Sequence, residues 1–288
     1  MLNTVYFNQN LKKTSPCVLL LGGFDGAHLG HCALISRAKS SGLPVGIMTI
    51  SGGKGQAIFT LKERREIFRG LGVDFLLELS FEKIRKLSPK EFSSLLTKEF
   101  SVKAFYCGSD FRYGFLAGGT PETLKRDTQV HVETLELIKI DGEKVSASTV
   151  KKLLLNGEIE RANALLESPF FLTGEVVKDR GVGRTIGFPT ANIAYPLEKI
   201  ALKQGVYQTL VEVDGKEYSA ITNYGARPTF QDETVCTETY LDGFSGDLYG
   251  KRLTVKFQRF LREIKKFPSV EELKEQLKQD IRRVREND

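Results

Sequence analysis

Between residues 17 and 140 the chain alternates short β-rich apolar runs with longer stretches in which apolar residues recur at helical spacing, the pattern of parallel strands flanked by helices. It predicts strands over 17–22 (CVLLLG), 44–50 (PVGIMTI), 74–79 (DFLLEL), 103–107 (KAFYC) and 130–140, the last broken once, and helices over 30–41, 61–71 and 88–100. From Val145 to Glu167 the period turns helical twice, first in SASTVKKLLLNG, opened by a Ser/Thr cluster and closed by Gly157, then in EIERANALLES. After Pro169 strands with turn punctuation take over: FFLTGEVVKD, VYQTLVEV, KEYSAITNY, TVCTETYL and RLTVKFQRFL, with Gly/Asp turns such as Asp214-Gly215. The closing segment 269–285 repeats Val270, Leu273, Leu277 and Ile281 at helical spacing. The expected architecture is α/β: a doubly wound parallel-sheet domain with a helical connector over 1–167, then a small antiparallel β-barrel with a C-terminal helix over 168–288.

A length of 288 residues suits two such domains, and 41% hydrophobic with 27% charged side chains rules out a disordered tail. The net charge of +6 favours anionic partners but is too small and dispersed to single out nucleic acid; phosphate-bearing small molecules satisfy it equally well. No apolar run approaches the ~18 residues of a membrane span, and the opening MLNTVYFNQNLKK has no signal-like apolar core. A cytoplasmic chain without membrane or nucleic-acid partners is expected. Cys17, Cys32, Cys107 and Cys236 form no CxxC pair, which leaves redox and structural-zinc chemistry without support. Of only three histidines, two stand four residues apart inclusive, at 28 and 31, and call for an explanation.

That pair lies in Gly22-Gly23-Phe24-Asp25-Gly26-Ala27-His28-Leu29-Gly30-His31, between the first predicted strand and the first helix. Glycines at such a turn let backbone N–H groups approach a phosphate, the helix N-terminus carries about half a positive charge, and histidines at this spacing can face one oxyanion. The arrangement suits nucleotidyl transfer, in which charge grows on the α-phosphate oxygens and the leaving pyrophosphate. The segment resembles the HxGH nucleotidyltransferases and, among them, the bacterial bifunctional riboflavin kinase/FAD synthetase family, whose N-terminal module carries GxFDGxHxGH. The resemblance implies nucleotide binding by Gly22, Gly23, Phe24, Asp25 and Gly30, and transition-state stabilisation by His28 and His31. Cys107-Gly108-Ser109-Asp110-Phe111-Arg112-Tyr113-Gly114 is similar to the family's GxDFRFG loop, implying flavin contacts by Asp110, Phe111 and Arg112. Ser146-Ala147-Ser148-Thr149-Val150-Lys151-Lys152 stands where the family has ISSTxxR, implying ATP-phosphate contacts by Ser148, Thr149 and Lys152. Two departures matter. Lys152 does not reproduce a bidentate guanidinium, and Ile50-Ser51-Gly52-Gly53-Lys54-Gly55 replaces an FDPHP-type segment, leaving Lys54 as a substitute phosphate-binding charge.

In the second half, Gly181-Val182-Gly183-Arg184-Thr185-Ile186-Gly187-Phe188-Pro189-Thr190-Ala191-Asn192 is neither a Walker A loop nor a dinucleotide fingerprint. An arch built on Gly181, Gly183 and Arg184 can wrap phosphates, while Thr190 and Asn192, alternating along an extended segment, present two oxygens from one face, a donor pair suited to Mg²⁺ beside ATP. The run closely resembles the riboflavin kinase signature containing GxPTAN. Asn223-Tyr224-Gly225-Ala226-Arg227-Pro228-Thr229-Phe230 is similar to that family's NxGxRPTF, and Glu238-Thr239-Tyr240-Leu241-Asp242 leads into Gly246-Asp247-Leu248-Tyr249-Gly250. The acid matching Glu238 is the family's general base, so the resemblance implies that Glu238 takes the proton of the ribityl 5′-hydroxyl. Tyr240 stands where the family commonly has histidine. Arg262 falls in a segment similar to LRxExKF, with Ile264 replacing its glutamate, and the resemblance implies that it helps close a flavin pocket.

Taken whole, the resemblance implies phosphorylation of riboflavin to FMN with Mg²⁺ and ATP in the C-terminal module. The N-terminal module would adenylylate FMN to FAD, with riboflavin, FMN and ATP as partners and no obligate protein partner. Two other readings stay open: a riboflavin kinase whose first module is degenerate, and a non-enzymatic flavin- or RNA-binding regulator.

Overall fold

The computed structural model describes residues 3–7, 10–53, 55–136, 138–140, 142–178, 183, 187–226 and 235–286. Lys54, Gly181, Arg184 and residues 227–230 lie outside them. Contacts group the chain into two units, 1–149 and 150–288.

The first unit runs β1 (Asn3–Tyr6), β2 (Pro16–Leu21), α1 (Leu29–Lys39), β3 (Val45–Ser51), α2 (Leu61–Gly70), β4 (Phe75–Ser80), α3 (Phe81–Ile84), α4 (Pro89–Glu99), β5 (Ser101–Gly108), α5 (Pro121–Thr128), β6 (His131–Leu135), β7 (Lys139–Ile140) and β8 (Glu143–Lys144). Its sheet has the order β1-β4-β3-β2-β5-β6, parallel throughout except for β1 on β4. Both faces of the central strands are covered, so β2 is apolar without alternation: Leu19 and Leu21 enter one core with Phe105 and Leu77, while Val18 and Leu20 enter the other with Ile47 and Leu76. The order turns about β2, and the crevice beyond the carboxyl ends of β2 and β5 is the switch point at which such sheets take ligands. Helix starts follow their sequence signals, with capping boxes at Thr60/Glu63 and Ser88/Glu91. The expected break in 130–140 is the gap between β6 and β7. Strand β1 and helices α3 and α5 were not expected; β1 is four residues long and is held by pairing with β4 rather than by a pattern of its own.

The second unit contains most of α6 (Ala147–Leu155), then α7 (Ile159–Ala164), β9 (Phe171–Val177), β10 (Thr190–Ala194), β11 (Gly205–Val213), β12 (Lys216–Ala226), β13 (Val235–Leu241), β14 (Arg252–Arg262) and α8 (Val270–Arg285). The six strands close into a barrel, β10-β13-β12-β11-β14-β9. Its interior carries a chain of buried hydroxyls, Thr209 to Thr222 (2.8 Å) and Thr222 to Thr239 (2.9 Å). Such groups belong in a core only when hydrogen-bonded. The connector joins this barrel: Asn163 Nδ2 donates to the Phe257 carbonyl (2.8 Å), and its Oδ1 accepts from Phe170 N (2.8 Å). Helix α8 lays Ile281 and Val284 against Val206 and Ile221 on the outer barrel face. Arg262 on β14 grips Asp280 of α8 through Nε (3.0 and 3.1 Å) and a terminal nitrogen (2.7 Å).

Candidate functional site

The decapeptide after β2 is built from its glycines outward. Phe24 adopts φ +40° and folds its ring back so that a Cβ on Gly22 would meet it at 3.1 Å. That ring, fully buried, stacks on His31 with centroids 4.2 Å apart, and His31 stacks on His28 at 3.6 Å. A Cβ on Gly30 would stand 3.2 Å from the His28 ring, so position 30 has to be small. Gly23 has nothing within 4 Å of its Cβ position and borders the cavity, leaving its backbone approachable.

Hydrogen bonds assign the imidazole tautomers. His28 caps α1, its Nδ1 accepting from the His31 backbone N–H (3.3 Å), so the ring proton of neutral His28 is on Nε2. His31 Nδ1 lies against the Gly26 carbonyl, which only accepts, so His31 carries its proton on Nδ1. Neither Nε2 has a protein partner among the described residues. Burial lowers the pKa of His28 to about 4 and holds His31 well below its usual value, with His28 beside it adding to the effect. The neutral pair thus offers one donor, His28 Nε2–H, and one acceptor, His31 Nε2.

Around the pair lies a cavity of about 290 Å³ at the switch point. Of the expected residues it is lined by Gly22, Gly23, Gly30, His28, His31, Asp110, Phe111 and Arg112. Phe24 is corrected from a nucleotide contact to a support, because its ring is wholly enclosed beneath His31. Asp25 is off the cavity wall; its Oδ1 accepts from Ile58 N (2.9 Å), tying the turn to the loop that follows β3. Ser148, Thr149 and Lys152 are off it as well: Ser148 and Lys152 are exposed, and Thr149 Oγ1 donates to the Lys144 carbonyl (2.8 Å). The hydroxyl at this end of the cavity is that of Ser146, which accepts from Thr149 N (3.2 Å) at the start of α6. Glu136 and Lys144, unmarked by any motif, also line the wall.

On the barrel, register replaces loops as the organising element. Asn192 of β10 pairs directly with Glu238 of β13, Thr190 with Tyr240, and Glu238 in turn with Asn223 of β12. Thr237 and Thr239 alternate with these and are fully buried in the interior, which leaves Thr190, Asn192, Asn223, Glu238 and Tyr240 on the outer face. Two cavities share that face. One, about 270 Å³, runs beneath α8 and is lined by Asn223, Glu238, Tyr240, Arg262, Phe267 and Leu277, among others. The other, about 470 Å³, is lined by Asn192, Phe244, Asp247 and Tyr249, among others. Thr190 stands in the wall of both. Gly183 is the described residue of the glycine arch: a Cβ there would lie 2.4 Å from the Phe188 carbonyl and 3.3 Å from Thr190 Oγ1. Arg262 lines the first cavity as expected, yet its guanidinium is engaged by Asp280, so what it does in this structure is anchor α8. Asp280 carried no sequence signal; it reads as one more charge on a helix.

Family models described as FAD synthetase and riboflavin kinase match residues 10–149 and 166–287. A bifunctional riboflavin kinase/FMN adenylyltransferase of Bacillus subtilis is 32% identical over 93% of this chain and 92% of its own length. The chain belongs to the bifunctional riboflavin kinase/FMN adenylyltransferase family. The Escherichia coli member is 33% identical, covering 94% of this chain and 92% of its own. A solved structure described as a macrolide-efflux protein from Streptococcus pneumoniae is similar with a TM-score of 0.86 and 29% identity, over 96% of both chains. Among the described residues of this family member no helix is long and apolar enough to cross a membrane.

Proposed function

We propose that the chain phosphorylates riboflavin with ATP to give FMN on the barrel and adenylylates FMN to FAD at the sheet crevice. The kinase module is assigned to 168–288 and the adenylyltransferase module to 1–167, the connector helix α7 of the latter span packing on the barrel. Family membership supports both activities. The observation that carries the kinase site is Thr190 in the wall between two cavities, with Asn192 facing Glu238 beside it. A nucleotide in the larger cavity and a flavin beneath α8 would meet at that wall. There the ribityl 5′-hydroxyl oxygen attacks the γ-phosphorus, Glu238 accepts its proton and ADP leaves, with positioning carrying most of the rate.

The donor set also bears on Mg²⁺. Among the described residues no three His, Cys, Asp or Glu side chains are grouped so as to hold a metal ion, so a cage built from protein carboxylates is not formed there. A Mg²⁺ that shares substrate phosphates needs only one or two protein oxygens, and hard oxygens of this kind are available at Thr190 and Asn192. These two residues would hold the ion, whose bound charge would offset that of the phosphates.

In the sheet module a phosphate oxygen of FMN attacks the α-phosphorus of ATP and pyrophosphate leaves. His28 Nε2–H donates to the α-phosphate oxygens, with the Gly22–Gly23 backbone and the N-terminus of α1 at the same anion. Both reactions consume ATP, which fits a cytoplasmic enzyme. The test is product chromatography after supplying riboflavin, ATP and Mg²⁺, then FMN in place of riboflavin. FMN and FAD are expected from the first mixture and FAD from the second. FMN without FAD in both would reduce the function to a kinase, and neither product would overturn it.

A further inference from the structure

Lys144 ends β8, two residues before the Ser146 cap of α6, and lines the cavity that holds His28 and Gly23. Its Nζ lies 2.6 Å from Asp110 Oδ2, linking the segment before α6 to the loop after β5. The backbone on either side is fixed, the Lys144 carbonyl accepting from Thr149 Oγ1 (2.8 Å) and Val145 N donating to the Ile138 carbonyl (2.9 Å). The ammonium therefore swings on a rigid base. With side chains 42% and 52% exposed, the Lys144–Asp110 pair contributes little to stability. Its carboxylate is readily exchanged for a stronger anion such as a phosphate dianion.

The competing cations are less well placed. Lys152 is exposed and off the cavity wall. Arg112 is on the wall, but a terminal nitrogen donates to the neighbouring Phe111 carbonyl (2.8 Å). The Lys144 charge is close enough to His28 to help keep that imidazole neutral. In adenylyl transfer the nucleophile is itself a phosphate, and it has to stand in line with the bond that breaks, next to the group that holds the α-phosphate. Lys144 lines the same cavity as that group and is paired with the loop after β5 through Asp110.

We propose that Lys144 is a substrate-binding residue for adenylyl transfer, leaving Asp110 to hold the phosphate of FMN as the nucleophile beside His28. The inference rests on the adenylyltransferase reading of this cavity, and Asp110 becomes the anion that keeps the lysine oriented until substrate arrives. The experiment is steady-state FAD synthesis with FMN and ATP varied separately, in the wild-type chain, Lys144→Gln and Lys144→Arg, with riboflavin phosphorylation by the same preparations reporting folded protein. The loss of one charge-assisted hydrogen bond predicts that Lys144→Gln raises KM for FMN about tenfold to a hundredfold, with KM for ATP within about twofold of wild type. Lys144→Arg should recover most of the loss, because the charge is kept. A KM for FMN unchanged in Lys144→Gln, or an increase confined to ATP, would overturn the assignment. Wild-type protein that forms no FAD would instead remove the adenylyltransferase reading, and the inference with it.

Discussion

The sheet module and the barrel assemble their polar groups by opposite routes. At the sheet crevice the groups come from separate loops: the turn after β2, the loop after β5, the segment after β6 and the start of α6. Each is positioned by its own local devices, such as the Phe24–His31–His28 stack or the cap at Ser146. On the barrel the groups come from three adjacent strands, and two-residue alternation plus register puts Thr190, Asn192, Glu238 and Asn223 on one face without any loop. A strand-built site is set by the same hydrogen bonds that set the fold, whereas a loop-built site depends on packing that can be altered one contact at a time. Substitutions of the outward-facing polar side chains on the barrel strands should therefore change the chemistry and leave the fold in place. At the crevice the two effects should grade into one another.

The largest expected effect is on the barrel. Glu238→Gln should lower FMN formation by about 10²–10⁴-fold, the usual contribution of a general base, while FAD synthesis from supplied FMN continues; initial rates with each flavin read both. An unimpaired kinase would deny Glu238 that role and break the contrast. Next is Asp280→Ala, which strands a half-buried arginine. A loss of about 3–5 kcal/mol in barrel stability is expected by denaturant unfolding, with a raised KM for riboflavin as the α8 wall loosens.

Acid should discriminate between the modules. His28 titrates at about 4 when folded against 6.5 unperturbed, because burial disfavours its charged form. Above pH 6.5 both states are neutral and the shift has no effect on stability. As pH falls from 6.5 to about 4 the unfolded chain binds a proton that the folded sheet module refuses, destabilising it by about 3 kcal/mol at the lower limit. His31 acts in the same direction. All three histidines lie in the first 131 residues, so the barrel lacks this contribution. Thermal unfolding at pH 7 and pH 4.5 should show one transition falling further than the other, and His28→Gln should narrow the gap.

The smallest effect is expected from Gly30→Ala. The added Cβ would press on the His28 ring from 3.2 Å, and a displacement of a few tenths of an ångström should slow FAD synthesis by roughly tenfold or less, with kinase rates serving as the internal reference.

How far each region could be read in advance follows the same division. The apolar runs at 17–22, 44–50 and 74–79 became β2, β3 and β4 within a residue or so, because strands buried on both faces have no freedom to be polar. The Thr-Ala-Asn alternation likewise pointed to one face of one strand, and β10 carries it there. Phe24 was misread because a motif position does not reveal whether its ring faces a ligand or a neighbour. That Arg262 also anchors α8 was not legible, because nothing in the order of residues links it to Asp280, 18 positions away. Lys144 was passed over for the same reason, its partner Asp110 lying 34 positions away.

Periodicity and turn chemistry arise between near neighbours, so the amino-acid order alone determined the inner strands of the sheet and the antiparallel barrel that follows them. Which charge meets which, and whether a side chain borders a cavity or props up the one that does, depends on segments brought together from distant parts of the chain. Only the tertiary structure decided that Asp280 anchors Arg262 and that Lys144 stands at the crevice.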